Sequence, residues 1–124
     1  MARTILIVED EYDLRRMFRT ALLLDGFEVL EADNGFSALF LLERVMPPDL
    51  IVLDLMMPVL DGRAFKNELA AQAHLRQIPV VVVTGEHGSH AELDAKCVLK
   101  KPVDPDALVR TVHACLASGA TNGV

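Results

Sequence analysis

Three fully apolar segments constrain the fold of this chain most strongly. They lie at residues 5–8, 50–53 and 80–83, and the last of them is a run of four valines. Strands that are apolar on both faces are typical of the interior of a parallel sheet, because helices cover both of its faces. Segments with helical spacing alternate with these runs, so the sequence predicts an α/β fold.

The alternation of strand and helix occurs five times along the chain. The predicted strands cover residues 4–8, 28–32, 50–53, 79–84 and 97–99, and the predicted helices cover 11–25, 36–45, 61–73, 89–96 and a last helix from residue 105. Right-handed crossovers then predict a doubly wound sheet with helices on both faces, in the flavodoxin-like order 2-1-3-4-5. The fourth helix must be short or irregular, because only residues 85–96 are available for that crossover.

Local signals predict how two of the helices begin and end. Gly26 follows the first helix and is expected to end it as a left-handed cap. Asp104 can cap the last helix, with Pro105 at its first position. Apolar residues at helical spacing predict the buried side of that helix, namely Leu108, Val112, Cys115 and Leu116.

The size and charge of the chain exclude several classes of function. Its 124 residues fit one domain, predicted over residues 1–118, with a disordered tail over 119–124. A net charge of −6 argues against direct nucleic-acid binding, which needs a basic surface. No signal peptide is recognisable, and no apolar stretch approaches the roughly 18–20 residues of a membrane span. We therefore expect a cytoplasmic protein.

The two cysteines, Cys97 and Cys115, are far apart in the sequence and lack CxxC spacing. Buried free thiols are the favoured interpretation in a reducing compartment, with a disulfide or a metal role as the alternatives. A zinc site built from His87, His90 and Cys97 is disfavoured, because the spacing is not standard and no fourth ligand is evident.

Polar side chains stand where the predicted strands end. Glu9 and Asp10 follow the first strand, Asp54 follows the third, Thr84 ends the fourth and Lys101 follows the fifth. The ligand site of a doubly wound sheet lies at this edge, so three carboxylates should converge there. Mg²⁺ would relieve their repulsion, and phosphoryl transfer requires a metal, a nucleophile and cations or hydroxyls around the phosphoryl oxygens.

Several segments resemble the receiver domains of response regulators from two-component systems, and the likeness extends over residues 4 to about 117. The segments are residues 5–11, residues 49–62 around Asp54, Thr84 after the valine strand, and the pair Lys101-Pro102. The chain resembles single-domain receivers of the chemotaxis-regulator type. Whether an output domain originally followed is left open.

The resemblance implies roles for individual residues. Asp54 would be the phospho-acceptor, and Mg²⁺ would be held by Glu9, Asp10, Asp54 and the backbone carbonyl of Met56. Thr84 would be the hydroxyl that moves toward the phosphoryl group. Lys101 would contact the phosphate, and its peptide bond to Pro102 would be cis. Lys100 is the rival for that role, but its side chain should point to the other face of the strand.

The family also implies the function. The protein would accept a phosphoryl group from a histidine kinase or a phosphotransfer protein and would signal to a downstream protein through protein contacts. It would be a monomer or a weak dimer and not an enzyme in the ordinary sense, because it would catalyse only its own phosphorylation and dephosphorylation.

The sequence departs from the family pattern at three places. Glu9 replaces a more frequent aspartate, Val98 stands where receivers usually carry Tyr or Phe, and the crossover over residues 85–96 is short. Valine is small and stiff, so it cannot swing inward as the aromatic ring does. An alternative is therefore a receiver-like binding module that signals without phosphorylation. An enzyme on the same fold is disfavoured, because acids replace the glycine-rich phosphate loop after the first strand.

Overall fold

The computed structural model describes residues 2–57, 60–85 and 97–119. The five strands are β1 (Thr4–Val8), β2 (Glu28–Ala32), β3 (Leu50–Asp54), β4 (Val80–Thr84) and β5 (Val98–Lys100). The helices of these residues are α1 (Tyr12–Leu24), α2 (Gly35–Leu42), α3 (Gly62–Ala71), α4 (Ala73–Arg76) and α5 (Pro105–Ser118). None of them is long and apolar enough to cross a membrane.

All strand pairs are parallel, and the sheet order is β2-β1-β3-β4-β5. The predicted fold class and strand order are therefore confirmed. The central strands β3 and β4 are buried along their whole length. This explains why their sequences are apolar at every position before the last residue, where the functional side chains begin.

Successive residues of the strands point to opposite faces of the sheet and build two separate cores. On one face, Ile7, Val52 and Val83 pack with side chains of α1 and α5. On the other face, residues such as Leu53 and Val82 pack with side chains of α2, α3 and α4. Helices therefore cover both faces, as a doubly wound sheet requires.

Side-chain caps and a glycine fix the ends of the helices. Gly26 has a φ of 96°, the left-handed conformation predicted for it after α1. Asp104 begins α5 and accepts a hydrogen bond from the Ala107 N–H at 3.2 Å. Asp61 begins α3 in the same way, with the Ala64 N–H at 2.8 Å. Since α3 starts close after β3, this cap also fixes the chain near the functional edge of the sheet.

Several predicted elements differ from the structure in their bounds, and one cannot be compared. The helix predicted over residues 36–45 covers Gly35–Leu42, with Glu43 as its C-terminal cap. The helix predicted over residues 61–73 ends at Ala71, because Gln72 adopts an extended conformation before α4 starts. That break allows Leu75 of α4 to be buried against the second core. The fifth strand begins one residue later than predicted. The short helix predicted over residues 89–96, together with His87 and His90, lies outside the described residues.

The prediction of free thiols is wrong, because Cys97 and Cys115 form a disulfide. The fold places their Cα atoms 5.6 Å apart, inside the range that a disulfide spans. Both residues belong to the core shared by α1 and α5 and are buried. The contact arises because α5 packs back across β5, which a sequence separation of 18 does not reveal.

Candidate functional site

The carboxyl ends of β1 and β3 bring three acidic side chains together. Val8 lies opposite Leu53 in the parallel pairing, so Glu9 and Asp54 follow at the same level of the sheet. One carboxylate oxygen from each of Glu9, Asp10 and Asp54 lies within 4.8 Å of the other two. The observed strand order therefore brings the three acidic side chains together, as the sequence predicts.

Glu9 is fully buried, and its two carboxylate oxygens have different surroundings. Oε2 accepts a hydrogen bond from the Glu11 N–H at 3.1 Å, whereas Oε1 has no hydrogen-bond partner among the described residues. Burial raises the pKa of Glu9 to about 8, and the charge of Asp54 acts in the same direction against the Glu11 hydrogen bond. An ionised Glu9 is therefore costly unless a cation lies nearby.

Asp54 is also buried, but both of its carboxylate oxygens have partners. Oδ1 accepts a hydrogen bond from the Met56 N–H at 2.9 Å, and Oδ2 accepts one from Lys101 Nζ at 3.2 Å. Only 1% of Asp54 is exposed, whereas 30% of the Lys101 side chain is. The carboxylate is therefore held in a fixed orientation, with a cation at the side that opens to solvent.

Lys101 reaches Asp54 from the segment that follows β5. Its peptide bond to Pro102 is cis, as predicted, and its backbone N–H donates to the Thr84 carbonyl at 2.8 Å. Burial alone would lower the pKa of Lys101, but the negative charges of Asp54 and Glu9 outweigh it and raise that pKa. Lys101 therefore stays charged at neutral pH. Lys100, the rival, is an exposed residue of β5.

The two residues assigned to the switch lie on neighbouring strands. Thr84 is the buried last residue of β4, and its hydroxyl donates to the Gly85 carbonyl at 3.3 Å. Val98 is half-buried at the start of β5 and lies opposite Val82 of β4. Its position along β5, three residues before Lys101, is the position at which receivers usually carry an aromatic side chain.

The acidic cluster has the composition of a site for a hard divalent cation. Carboxylate and carbonyl oxygens are the ligands that such cations prefer, and Oε1 of buried Glu9, which has no hydrogen-bond partner in the described part of the chain, is available as such a ligand. Lys101 supplies one positive charge for three carboxylates. The residues present therefore fit a metal ion, and Glu9, Asp10 and Asp54 are the side chains that could hold it.

The family model of the response regulator receiver domain matches residues 5–113. The chain belongs to this family. Among curated relatives, the phosphate regulon transcriptional regulatory protein PhoB of Klebsiella pneumoniae is 39% identical over 121 residues. That alignment covers 94% of this chain and 52% of PhoB, so the chain spans about half the length of the curated relatives it matches. The Escherichia coli PhoB is 38% identical over the same coverage.

Solved receiver structures have the same fold as this chain. The chemotaxis protein CheY4 of Vibrio cholerae superposes with a TM-score of 0.83 at 27% identity, covering 93% of this chain and 99% of that one. The receiver domain of a signal transduction histidine kinase from Syntrophus aciditrophicus gives 0.84 at 31% identity, covering 94% and 92%. The receiver fold thus occurs both in a chemotaxis protein and in a histidine kinase.

Two residues that sequence reasoning overlooked help to shape this receiver site. A side chain at Gly62 would place its Cβ 2.5 Å from Leu55 Cα and 2.7 Å from the Asp54 carbonyl oxygen. Arg15 of α1 donates to the Glu9 carbonyl at 2.8 Å. The Asp-Gly pair at 61–62 was a usable signal for a close backbone approach. Nothing in the local sequence identifies Arg15, because its partner lies six residues earlier in another element.

Proposed function

We propose that this receiver accepts a phosphoryl group on Asp54 in a Mg²⁺-dependent reaction. One observation carries the proposal, namely the environment of the Asp54 carboxylate. It is almost fully buried, lies beside Glu9 and Asp10, and has Lys101 Nζ at 3.2 Å. A buried carboxylate between a candidate cation site and a lysine can act as the nucleophile of a phosphoryl transfer.

The acidic cluster would hold the metal ion through Glu9, Asp10, Asp54 and the carbonyl of Met56. When bound, Mg²⁺ would offset the repulsion among the carboxylates and neutralise charge on the phosphoryl oxygens. The raised pKa of Glu9 supports this assignment, since a cation favours the ionised form that burial opposes. Glu9 would need that form in order to serve as a ligand.

In the transfer step, one Asp54 carboxylate oxygen forms a bond to phosphorus while the bond between phosphorus and the donor atom breaks. The donor is a histidine nitrogen of a kinase or phosphotransfer protein, and the electron pair of the broken bond stays with it. The ammonium group of Lys101, which pairs with Asp54 before the transfer, moves to contact an oxygen of the incoming phosphoryl group and offsets its negative charge. Hydrolysis of the acyl phosphate by water ends the signal.

The output would pass through Thr84 to a partner protein. Its hydroxyl, which now donates to Gly85, would turn to a phosphoryl oxygen. The resulting change at the end of β4 would be read by a downstream protein. We infer a cytoplasmic monomer or weak dimer that binds no nucleic acid through this domain, in keeping with its net charge of −6.

A second candidate function is a binding module that signals without phosphorylation. Val98 favours it, because a valine facing Val82 cannot couple the site to the surface by swinging an aromatic ring. The buried acids argue against it, since Glu9 and Asp54 are costly to keep together without a purpose. The two candidates differ in whether Asp54 is ever modified.

The decisive test is intact-mass measurement after incubation with Mg²⁺ and acetyl phosphate. We expect one phosphate adduct. No adduct should form when EDTA is added before the donor, and none should form in Asp54→Asn. Asp33→Asn is the matched control, because Asp33 is an exposed aspartate outside the cluster, and it should keep the adduct. Absence of an adduct from acetyl phosphate and from phosphorylated histidine donors would support the binding module instead.

A further inference from the structure

The Cys97–Cys115 disulfide links the edge of the sheet to the last helix. Cys97 directly precedes β5, and Cys115 lies in the last turn of α5. Their exposed fractions are 4% and 0%. The cross-linked segment includes Val98 and Lys101, which are the altered switch position and the lysine that contacts Asp54. The cross-link is therefore joined to the functional site through the strand β5, which lies between Cys97 and Lys101.

The strand that Cys97 directly precedes, β5, is the shortest of the sheet and lies at its edge. β5 has three residues and forms the edge next to β4, with three residue pairs in its register. Short edge strands lie at the low end of local stability, because they have hydrogen-bonded neighbours on one side. Detachment of β5 from β4 would open a path to both sulfur atoms while β1, β3 and β4 stay paired.

We propose that Cys97 and Cys115 form a reversible redox site that reacts with thiols and disulfides of the glutathione class. The disulfide would hold β5 against α5, and its reduction would release the strand that carries Val98 and precedes Lys101. The site would thus be a second input to the receiver, independent of the phospho-acceptor in its chemistry. Its influence on phosphorylation rests on the function proposed above.

The chemistry is a thiol–disulfide exchange in two steps. A thiolate of the reduced protein attacks oxidised glutathione, forms a mixed disulfide and expels one glutathione thiolate. The second cysteine thiolate then attacks the protein sulfur and expels the second glutathione. One sulfur–sulfur bond breaks and the Cys97–Cys115 bond forms, the two cysteines are oxidised, and their two protons end on two reduced glutathiones. Reduction follows the reverse path.

The first measurement is a redox titration of the whole chain. Protein from either starting state is equilibrated over a series of reduced-to-oxidised glutathione ratios, quenched with acid, alkylated and weighed as intact protein. We expect a change from two alkylated cysteines to none within the series, with the same midpoint from both directions. A disulfide that is reduced only after denaturant is added, or a pair that never oxidises, would overturn the proposal.

Hydrogen exchange then measures what the cross-link does. Amides of β5 and of the last two turns of α5 should exchange at least about tenfold faster in the reduced protein, while those of β1 and β3 stay unchanged. The double variant Cys97→Ala/Cys115→Ala should exchange like the reduced protein with and without reductant in the buffer. This variant controls for effects of the reductant itself. If that variant does not fold, the two forms of the natural protein still decide the question. Equal exchange in both forms would overturn the role of the site.

The last measurement separates this proposal from the proposed function. The rate of adduct formation from acetyl phosphate should be about threefold or more higher in the oxidised protein, since β5 then holds Lys101 near Asp54. Equal rates would overturn the coupling between the two inputs. If neither form gives an adduct, phosphorylation of Asp54 fails, whereas the redox titration and the exchange data still judge the disulfide on their own.

Discussion

At the residue scale, Glu9 and Asp54 are two buried acids with unequal surroundings. Both carboxylate oxygens of Asp54 accept hydrogen bonds, from Met56 and Lys101, while Glu9 Oε1 accepts none among the described residues. Burial raises the pKa of Glu9 to about 8, so ionising Glu9 inside the protein costs free energy. Glu9 therefore keeps its proton at neutral pH in the metal-free protein.

We predict that the metal-free protein loses stability as pH rises from about 4.5 to about 8. The pKa of Glu9 is 4.5 in its ordinary state and about 8 in the folded protein. Between these values the folded protein keeps the proton that the unfolded chain has released, so the free energy of unfolding falls with rising pH. Urea denaturation in EDTA at several pH values measures it. Glu9→Gln cannot titrate and should give a flatter profile; a variant with the same slope would contradict the assignment.

Gly62 is a second residue, after Glu9, at which a small change should alter the stability of the protein. A methyl group at Gly62 would lie 2.5 Å from Leu55 Cα and 2.7 Å from the Asp54 carbonyl oxygen, and neither backbone atom can move aside easily. We expect Gly62→Ala to lower the free energy of unfolding by about 2 kcal/mol, because overpacking exceeds the gain of about 1 kcal/mol from the helical preference of alanine.

The matched control for that substitution is Gly85→Ala. A Cβ at Gly85 meets no atom of the described residues within 4 Å, so this change should leave the free energy of unfolding nearly unaltered. Both variants can be compared by urea denaturation. If Gly62→Ala is as stable as the Gly85 variant, the backbone approach between α3 and the end of β3 is looser than its geometry indicates.

At the element scale, the N-terminal cap of α5 is an accessible test of how that helix is held. Asp104 accepts the Ala107 N–H at 3.2 Å, and Pro105 occupies the first helical turn. We predict that Asp104→Ala lowers the free energy of unfolding by about 1 kcal/mol, whereas Asp104→Asn keeps most of it. Thermal unfolding followed by circular dichroism compares the two variants. Equal losses of stability would show that the charge of Asp104, and not its hydrogen bond to Ala107, stabilises the helix.

The elements also show what the sequence can and cannot predict. The parallel sheet and its two helix-covered faces follow from apolar runs such as residues 50–53 that alternate with helical segments, because strands buried on both faces are typical of parallel sheets. The acidic cluster follows in turn, since strand ends share one edge. The break at Gln72 and the Cys97–Cys115 disulfide do not follow, because both depend on how α4 and α5 pack against strands distant in sequence.

At the scale of the whole molecule, metal binding and folding should be linked. Glu9, Asp10 and Asp54 offer carboxylate oxygens within 4.8 Å of one another, and the net charge of the chain is −6, so we expect a bound cation to stabilise the folded state. At about 100 times its dissociation constant, Mg²⁺ should raise the free energy of unfolding by about 2.7 kcal/mol, or the melting temperature by about 10 °C.

Differential scanning fluorimetry with and without millimolar Mg²⁺ measures that shift. Asp54→Asn removes one carboxylate from the cluster and should reduce the shift, whereas Asp33→Asn should keep it. An unchanged melting temperature in the natural protein would argue that the acidic cluster does not bind the ion at this concentration.

The outer edge of the sheet at β2 affects how molecules behave toward one another. β2 pairs with β1 on one side, and it carries the exposed acids Glu28 and Glu31. An open edge offers unpaired N–H and carbonyl groups to a strand of another molecule, which is how sheets extend into fibres. A second copy docking at this edge would bring glutamates of like charge together in an interface from which water is largely excluded. Glu28 should therefore oppose the pairing of two copies through this edge, whereas the charge of Glu31 is already paired with Arg15 and Arg19.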